Sequence, residues 1–336
     1  MKALRLNAPD RLELVEMDVP AIKDKELLIK TGASTICTSD LIDIRANPFG
    51  IRLPVVIGHE GAGTVAAIGA AVKGFRLGDR VATHPVHPCG DCPPCRDGMG
   101  HLCQNMRHFG INLPGTFAEY YVAREDRVRH IPDWVDFSLA SLAEPVSVCL
   151  EALAQARLLP GKALLVIGDG PFGLMIARLA VPLDLSKLVL AGWYDFRLSF
   201  ARQTVRLNTQ KEADPLKVMR DAVGGAGYDA AVLAVGSQQA FLDGLHCLKP
   251  KGRLVIFSAI PGETPVDLFM VHLKELEIIG SCNDQDRFDE AVRMLSDPQL
   301  GLSELITHRF PIEEYRQALD LAENGHDRAL KISFVF

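Results

Sequence analysis

The chain has 336 residues, 48% of them hydrophobic and 23% charged, with a formal net charge of −6 and a sequence pI near 5.9. That composition predicts a globular protein with sizeable cores and length for two domains, and it excludes a nucleic-acid surface or an anionic membrane as main partner. No run approaches 18 uninterrupted apolar residues, and Met1–Leu6 leads straight into charged alternating sequence, so neither a membrane span nor a signal peptide is expected and the predicted address is the cytoplasm.

Residues 1–35 alternate in short runs, Leu12–Glu16 and Glu26–Lys30, which read as half-buried antiparallel strands. Pro54–Gly58, Gly63–Gly69 and the turn at Gly78–Ala82 continue that pattern, giving a mostly β domain with glycine corners. Inside it lie Cys37–Thr38–Ser39–Asp40 and Gly58–His59–Glu60, in segments that read as strand ends and turns. A thiolate, an imidazole and a carboxylate are donors zinc accepts, and a catalytic zinc keeps one position open. Glu144 adds a further carboxylate just before Pro145. The residues predict a catalytic zinc on Cys37 and His59, completed by Glu144 or Glu60. Singly, such a cysteine is more often a small buried hydrophobe; the rest of the chain makes the metal reading the better one.

Eight cysteines are present, four of them in the loop Cys89, Cys92, Cys95 and Cys103. The spacing C-x2-C-x2-C-x7-C lets a kinked loop wrap four thiolates around one tetrahedral zinc. A redox CxxC is usually accompanied by a βαβ pattern, missing here. An iron–sulfur cluster fits the short fourth interval and the β setting less well than zinc. With every position filled, this second zinc is structural.

Gly115–Val122 reads as another strand, and from Phe137 to Leu153 the apolar spacing turns helical, a bridge between domains. Lys162–Ala177 then runs from a buried strand through Gly168, Gly170 and Gly173 into an apolar-faced helix. The spacing G-x-G-x-x-G in that setting is a dinucleotide fingerprint: a tight turn, close approach of backbone to a pyrophosphate, and close helix–strand contact. Lys187–Ala191, Tyr228–Ala234, Gly252–Phe257 and Ile278–Ser281 are continuous apolar runs suited to a parallel sheet covered on both faces. Candidate cofactor contacts are Gly168, Gly170, Pro171, Phe172 and Gly173, and further along Arg197, Val235 and Ser281. After Ser281 the chain reads as helical again, and the last run, Leu330–Val335, is expected to return to the first domain. The predicted domains are 1–147 with 284–336, and 148–283.

Cys-x-Ser-Asp, Gly-His-Glu, the four-Cys loop and the glycine fingerprint, in this order, resemble the zinc-dependent medium-chain alcohol and polyol dehydrogenases over nearly the whole chain. The resemblance implies an α/β protein: a β-rich GroES-like catalytic domain interrupted by a doubly wound Rossmann domain, with substrate bound between the two. It implies catalytic zinc ligands at Cys37 and His59, a neighbouring carboxylate at Glu60 that ligates or stands behind the ligands, and a sorbitol dehydrogenase-like carboxylate at Glu144. It also implies structural zinc on the four loop cysteines. Zinc would lower the pKa of the substrate hydroxyl, and a zinc-bound alkoxide would pass hydride to NAD or NADP. Ser39 matches the hydroxyl that takes the alcohol proton. The implied substrates are secondary alcohols, polyols or cyclitols, and the implied assembly a homodimer or homotetramer.

Two positions depart from the family pattern. The relay histidine five residues after the ligand cysteine is Ile42 here, leaving water, the cofactor ribose or a group such as Asp43 to carry the proton out. The ribose-binding aspartate that closes the second Rossmann strand is Gly192, which removes the usual bias towards NAD. Asp195 nearby would repel a phosphate while Arg197 and Arg202 could pair with one, so the sequence leaves NAD and NADP level. Ile42, Phe49, His84 and Phe109 are the expected pocket lining. The competing reading is a non-catalytic, zinc-stapled NAD(P)-binding sensor; a zinc-finger nucleic-acid binder conflicts with the acidic charge and the absence of a basic stripe in the loop.

Overall fold

The computed structural model describes residues 1–47 and 50–336, which divide into two compact units. The first comprises Met1–Ser147, Gln285–Gly325 and Ala329–Phe336, the second Val148–Asp284 with His326–Arg328, so Asp284 and 326–328 fall in the second unit.

The first unit is built on a mixed sheet in the order Val128–His130, Arg80–Thr83, Glu60–Ile68, Glu26–Thr35, Lys331–Val335, Ile306–Pro311, with Tyr120–Arg124 also paired to Glu26–Thr35. Glu26–Thr35 is its hub. Its buried residues alternate (Leu27, Ile29, Thr31, Ala33), as a strand facing a core requires. Its far end is sandwiched, with Thr35 opposite Glu60 on one side and opposite Ser333 on the other. The ladder continues through Ile36 N–H to Ile332 O at 2.9 Å, which carries Lys331 alongside Cys37. Leu4, Leu6, Ile36, Ile57, Phe117, Phe310 and Phe334 close the adjoining core.

Two local features differ from the expected pattern. Thr38–Ala46 is a helix where a strand end and turn were expected. Cys37 is its N-cap, and the Cys37 N–H donates to Asp40 Oδ2 at 2.9 Å, so a carboxylate at the third helical position closes a capping box. Ile306–Pro311 is a strand within a stretch expected to be helical; it lies parallel to Lys331–Val335, which covers its flank.

The second unit is a six-stranded, all-parallel sheet in the order Val205–Asn208, Lys187–Gly192, Ala163–Ile167, Tyr228–Leu233, Leu248–Ile256, Glu277–Gly280. This is the doubly wound order whose switch point falls between Ala163–Ile167 and Tyr228–Leu233, where open α/β sheets bind ligands. Every residue of Ala163–Ile167 is buried, the mark of a central strand covered on both faces. The apolar segment Phe137–Ala156 is long enough to cross a membrane, but 83% of its most apolar 18-residue window is buried inside the protein, as in a core helix.

Candidate active site

Cys37, His59 and Glu60 present their ligand atoms within 4.8 Å of one another, all three side chains buried. The capping box places the thiol at the start of a helix, whose N–H groups and dipole favour a thiolate. The same aspartate orients the imidazole: Asp40 Oδ1 lies 3.2 Å from His59 Nδ1, which leaves Nε2 for a metal. Against the burial that would lower it, Asp40 and then Cys37 hold the His59 pKa well above the usual value. A zinc ion bound there would displace that proton. The motif reading gives Asp40 no role; the structure gives it two, and the capping-box spacing Cys-x-x-Asp was the available signal.

Glu60 is fully buried and both its carboxylate oxygens are engaged. Oε1 lies 2.6 Å from Lys331 Nζ, itself only 2% exposed, and Oε2 accepts from Thr35 Oγ1. Burial opposes a charged Lys331, but Glu60, Cys37 and Glu144 together raise its pKa, so the lysine is a cation facing a cluster of negative groups. Glu144 is buried in the first turn of the Ala143–Ala156 helix; it acts on Lys331 through space and is not one of the three atoms grouped within 4.8 Å. Ser39 is half-buried on the first turn of the Thr38–Ala46 helix, while Ile42 on the same helix is 45% exposed.

Histidine His108, absent from the sequence reading, joins this site. Its ring lies 5.5 Å from that of His59, and its Nδ1 is 2.6 Å from Phe109 O, so Nδ1 carries the proton and Nε2 is left as an acceptor. Burial, then the nearby His59, lowers its pKa to about 3, which keeps the ring neutral. Of the expected pocket residues, His84 is buried, accepts from the Val86 N–H at 3.0 Å and stands edge-on to Phe288. Phe109 belongs to the β core, against His87 and Tyr121. Phe49 lies outside the described residues.

Cys89, Cys92, Cys95 and Cys103 also converge within 4.8 Å. The sulfurs of Cys89 and Cys95 are 4.0 Å apart and those of Cys92 and Cys103 3.8 Å. These separations are too long for disulfides and match the ~3.8 Å edge of a tetrahedron with ~2.3 Å Zn–S bonds. The backbone N–H groups of Cys89 and Asn105 donate to Cys103 Sγ at 3.2 and 3.3 Å. Although burial works against it, N–H groups of Cys95 and Gln104 bring Cys92 down to about 6, whereas burial pushes Cys95 up to about 12. Four thiolates this close need a cation among them, and zinc fits.

In the second unit the glycine turn has the form a pyrophosphate requires. A Cβ on Gly173 would come within 1.8 Å of Gly168 O, so the helix Pro171–Ala180 sits on the strand end only because residue 173 has none. A Cβ on Gly170, the N-cap of that helix, would meet nothing within 4 Å; the space above it is open. Val235 flanks the turn, its Cβ lying 3.2 Å from where a Gly168 Cβ would stand. Ser281 Oγ and Arg197 Nε are buried and, among the described residues, without a hydrogen-bond partner. Pro171 and Phe172 open the helix, and Phe172 packs on Phe257.

A doubly wound dinucleotide-type sheet, joined to a β unit with a Cys/His/Glu group and a four-thiol loop, defines the class of zinc-dependent dehydrogenases. The chain belongs to the medium-chain alcohol dehydrogenase family: residues 23–133 match the alcohol dehydrogenase GroES-like domain and residues 171–297 the zinc-binding dehydrogenase domain. It is 32% identical to an L-threonine 3-dehydrogenase of Yersinia pestis (strain Pestoides F), across 99% of this chain and 100% of that protein. Among solved structures, it is similar to the alcohol dehydrogenase RspB of Escherichia coli CFT073 in complex with NADH, at 27% identity and TM-score 0.92, over 100% of this chain and 99% of that one. It is similar also to the galactitol-1-phosphate dehydrogenase of Escherichia coli, at 26% identity and TM-score 0.89, over 100% of both chains. The chain is therefore a zinc-type oxidoreductase of GroES-like plus Rossmann architecture.

Proposed function

We propose that this protein is an NAD(P)-dependent zinc dehydrogenase of the cytoplasm, oxidising a secondary alcohol with a second polar group near the reacting carbon: a polyol, a cyclitol or a hydroxy amino acid. The observation that carries this is the buried Cys37–His59–Glu60 group, braced by Asp40 and Lys331. Zinc held there supplies Lewis-acid chemistry that lowers the pKa of a bound hydroxyl, and the nicotinamide supplies the hydride acceptor. Cys37 and His59 bind the metal. Glu144 or Glu60 completes the set, and Lys331 favours Glu144 because it already holds one Glu60 oxygen. Ser39 takes the alcohol proton, and since Ile42 offers no acceptor the proton passes on to water or a cofactor hydroxyl. His108 Nε2, an acceptor beside His59, supports a substrate that brings a donor with it.

Gly168, Gly170, Pro171, Phe172 and Gly173 would hold the pyrophosphate, with Arg197, Val235 and Ser281 around the rest of the dinucleotide. The helix Leu268–Lys274 exposes Leu268, Phe269 and Leu273 next to the edge strand Glu277–Gly280, which supports a homodimer or larger homo-oligomer formed through this face. The test is metal content combined with NAD and NADP reduction across polyols, cyclitols, simple secondary alcohols and L-threonine. About two zincs per chain, falling by one in Cys37→Ser with loss of turnover, is the expected result. A single zinc, and no reduction of either dinucleotide by the panel, would move the non-catalytic sensor to the front.

A further inference from the structure

The end of Lys187–Gly192 is where a dinucleotide sheet places the carboxylate that binds the adenosine ribose, and here that strand closes on glycine. The position is nonetheless filled by a carboxylate. Asp169, between the first two glycines of the phosphate turn, reaches across to the neighbouring strand end and is only 7% exposed. Its Oδ2 accepts from the N–H groups of both Trp193 and Tyr194, each at 2.7 Å. A Cβ built on Gly192 would fall 2.4 Å from Asp169 Cβ and 2.6 Å from its Cγ and Oδ2. Gly192 is glycine because Asp169 occupies the volume its side chain would need. The carboxylate has been moved from the strand to the turn.

We propose that Asp169 is the ribose-recognition residue of this protein and selects NAD over NADP; this rests on the dehydrogenase reading above. Both backbone bonds end on Oδ2, and among the described residues none ends on Oδ1, which is left to accept a ribose hydroxyl. A 2′-phosphate would meet a fixed negative charge instead. The two amides best placed to receive it are already engaged by Asp169. Arg197, the cation the sequence offers for such a phosphate, lies in the field of Asp169, stacks over the Tyr194 ring at 5.3 Å and contacts His326 Nδ1 at 2.9 Å. Asp169 thus faces the guanidinium from within the protein, although burial is the larger effect and lowers the Arg197 pKa. Asp195 is turned away, bonded to Asn208 at 2.6 Å and paired with Lys211.

The test is calorimetric binding to the purified chain, with no alcohol present, of NADH, NADPH and the fragments ADP and 2′,5′-ADP. The wild type should favour NADH over NADPH, and ADP over 2′,5′-ADP, by about a hundredfold, the scale of a like-charge contact. Asp169→Asn keeps an acceptor for the two amides but removes the charge, and should bring that ratio to within about tenfold of unity. The double variant Asp169→Gly/Gly192→Asp, which returns the carboxylate to the strand end, should restore it; a residue that only braces the turn would give no such rescue. Equal or tighter NADPH binding by the wild type, or an unchanged ratio in Asp169→Asn, overturns the assignment while leaving the dehydrogenase reading intact. Failure of all four ligands to bind overturns both. If the double variant does not fold, the Asp169→Asn ratio decides alone.

Discussion

The two metal-ligand groups of the first unit make opposite uses of the chain. The four-thiol loop takes every ligand from Cys89–Cys103, and the surroundings add little beyond a few N–H donors. The Cys37–His59 group draws on a helix cap, two sheet strands, a later helix and the returning strand that carries Lys331. One group is a local staple that any fold could carry. The other exists only when the whole unit is assembled. The difference teaches that a structural ion needs ligands alone, whereas a reactive one needs neighbours that fix orientation and charge.

The largest effects should separate the two groups outright. Cys37→Ser should lower kcat/KM on the order of a thousandfold while the thermal midpoint stays near wild type, and Cys103→Ser should release the loop zinc and drop the midpoint; calorimetry with metal analysis reads both. If both variants lose stability equally, the contrast fails. Next comes Lys331→Met, which leaves the buried Glu60 carboxylate without its cation. Denaturant unfolding should show a loss of about 3–5 kcal/mol, with most of it recovered in Glu60→Gln/Lys331→Met. A single-variant loss below about 1 kcal/mol would mean that Glu60 is neutral or already served by the metal.

A smaller effect of defined sign comes from Asp43. Asp43 is 6% exposed, its Oδ1 has no partner among the described residues, and burial, then the charge of Asp40, raises its pKa from 3.8 to about 6. A raised acid pKa means the folded state holds the proton more tightly than the unfolded one. The contribution of Asp43 to stability is therefore fully present below 3.8 and is lost as pH climbs from there to about 6, a change of ~1–2 kcal/mol once solvent screening is allowed for. Asp43→Asn should match the wild type in acid and exceed it by about that margin at alkaline pH; identical pH–stability curves would refute the burial argument. The mildest is Asp40→Asn, which should weaken the catalytic zinc about 10- to 100-fold with the loop zinc untouched, as read by competition with a chelating dye.

How much could be read beforehand follows the same divide between local and assembled. The four cysteines and Gly168–Gly170–Gly173 are legible because their geometry is set by spacing within one short segment. So are the central strands, whose apolar runs are uninterrupted. The helix Thr38–Ala46 is not, since Asp40 and Asp43 are its buried residues and no apolar stripe marks a face. Ile306–Pro311 hides because Thr307, His308 and Arg309 break its apolar run, and only pairing with Lys331–Val335 makes it a strand. Lys331 itself has no local sign of its role; a lysine in an apolar run reads as an edge charge until a buried carboxylate is found opposite. Asp169 was in plain view inside the glycine motif, yet its meaning depends on the empty volume at Gly192.

The pairing of Glu60 with Lys331 also bears on the order in which the protein can be made. The two residues are 271 positions apart. At ordinary synthesis rates of about 5–20 residues per second, the first is without the second for some tens of seconds. During that interval the first unit lacks its hub strand's partner Lys331–Val335 and carries an uncompensated carboxylate at its centre, while residues 148–284, nearly all of the second unit, emerge in one uninterrupted length. We therefore expect the later-encoded unit to become protease-resistant first on the ribosome, and the earlier-encoded one only after its last strand is released. Stalled nascent chains ending near residue 325, with residues 148–284 clear of the ribosome and Lys331–Val335 not yet made, would show this as a protected fragment from the interior of the sequence, with the N-terminal 147 residues still open to cleavage.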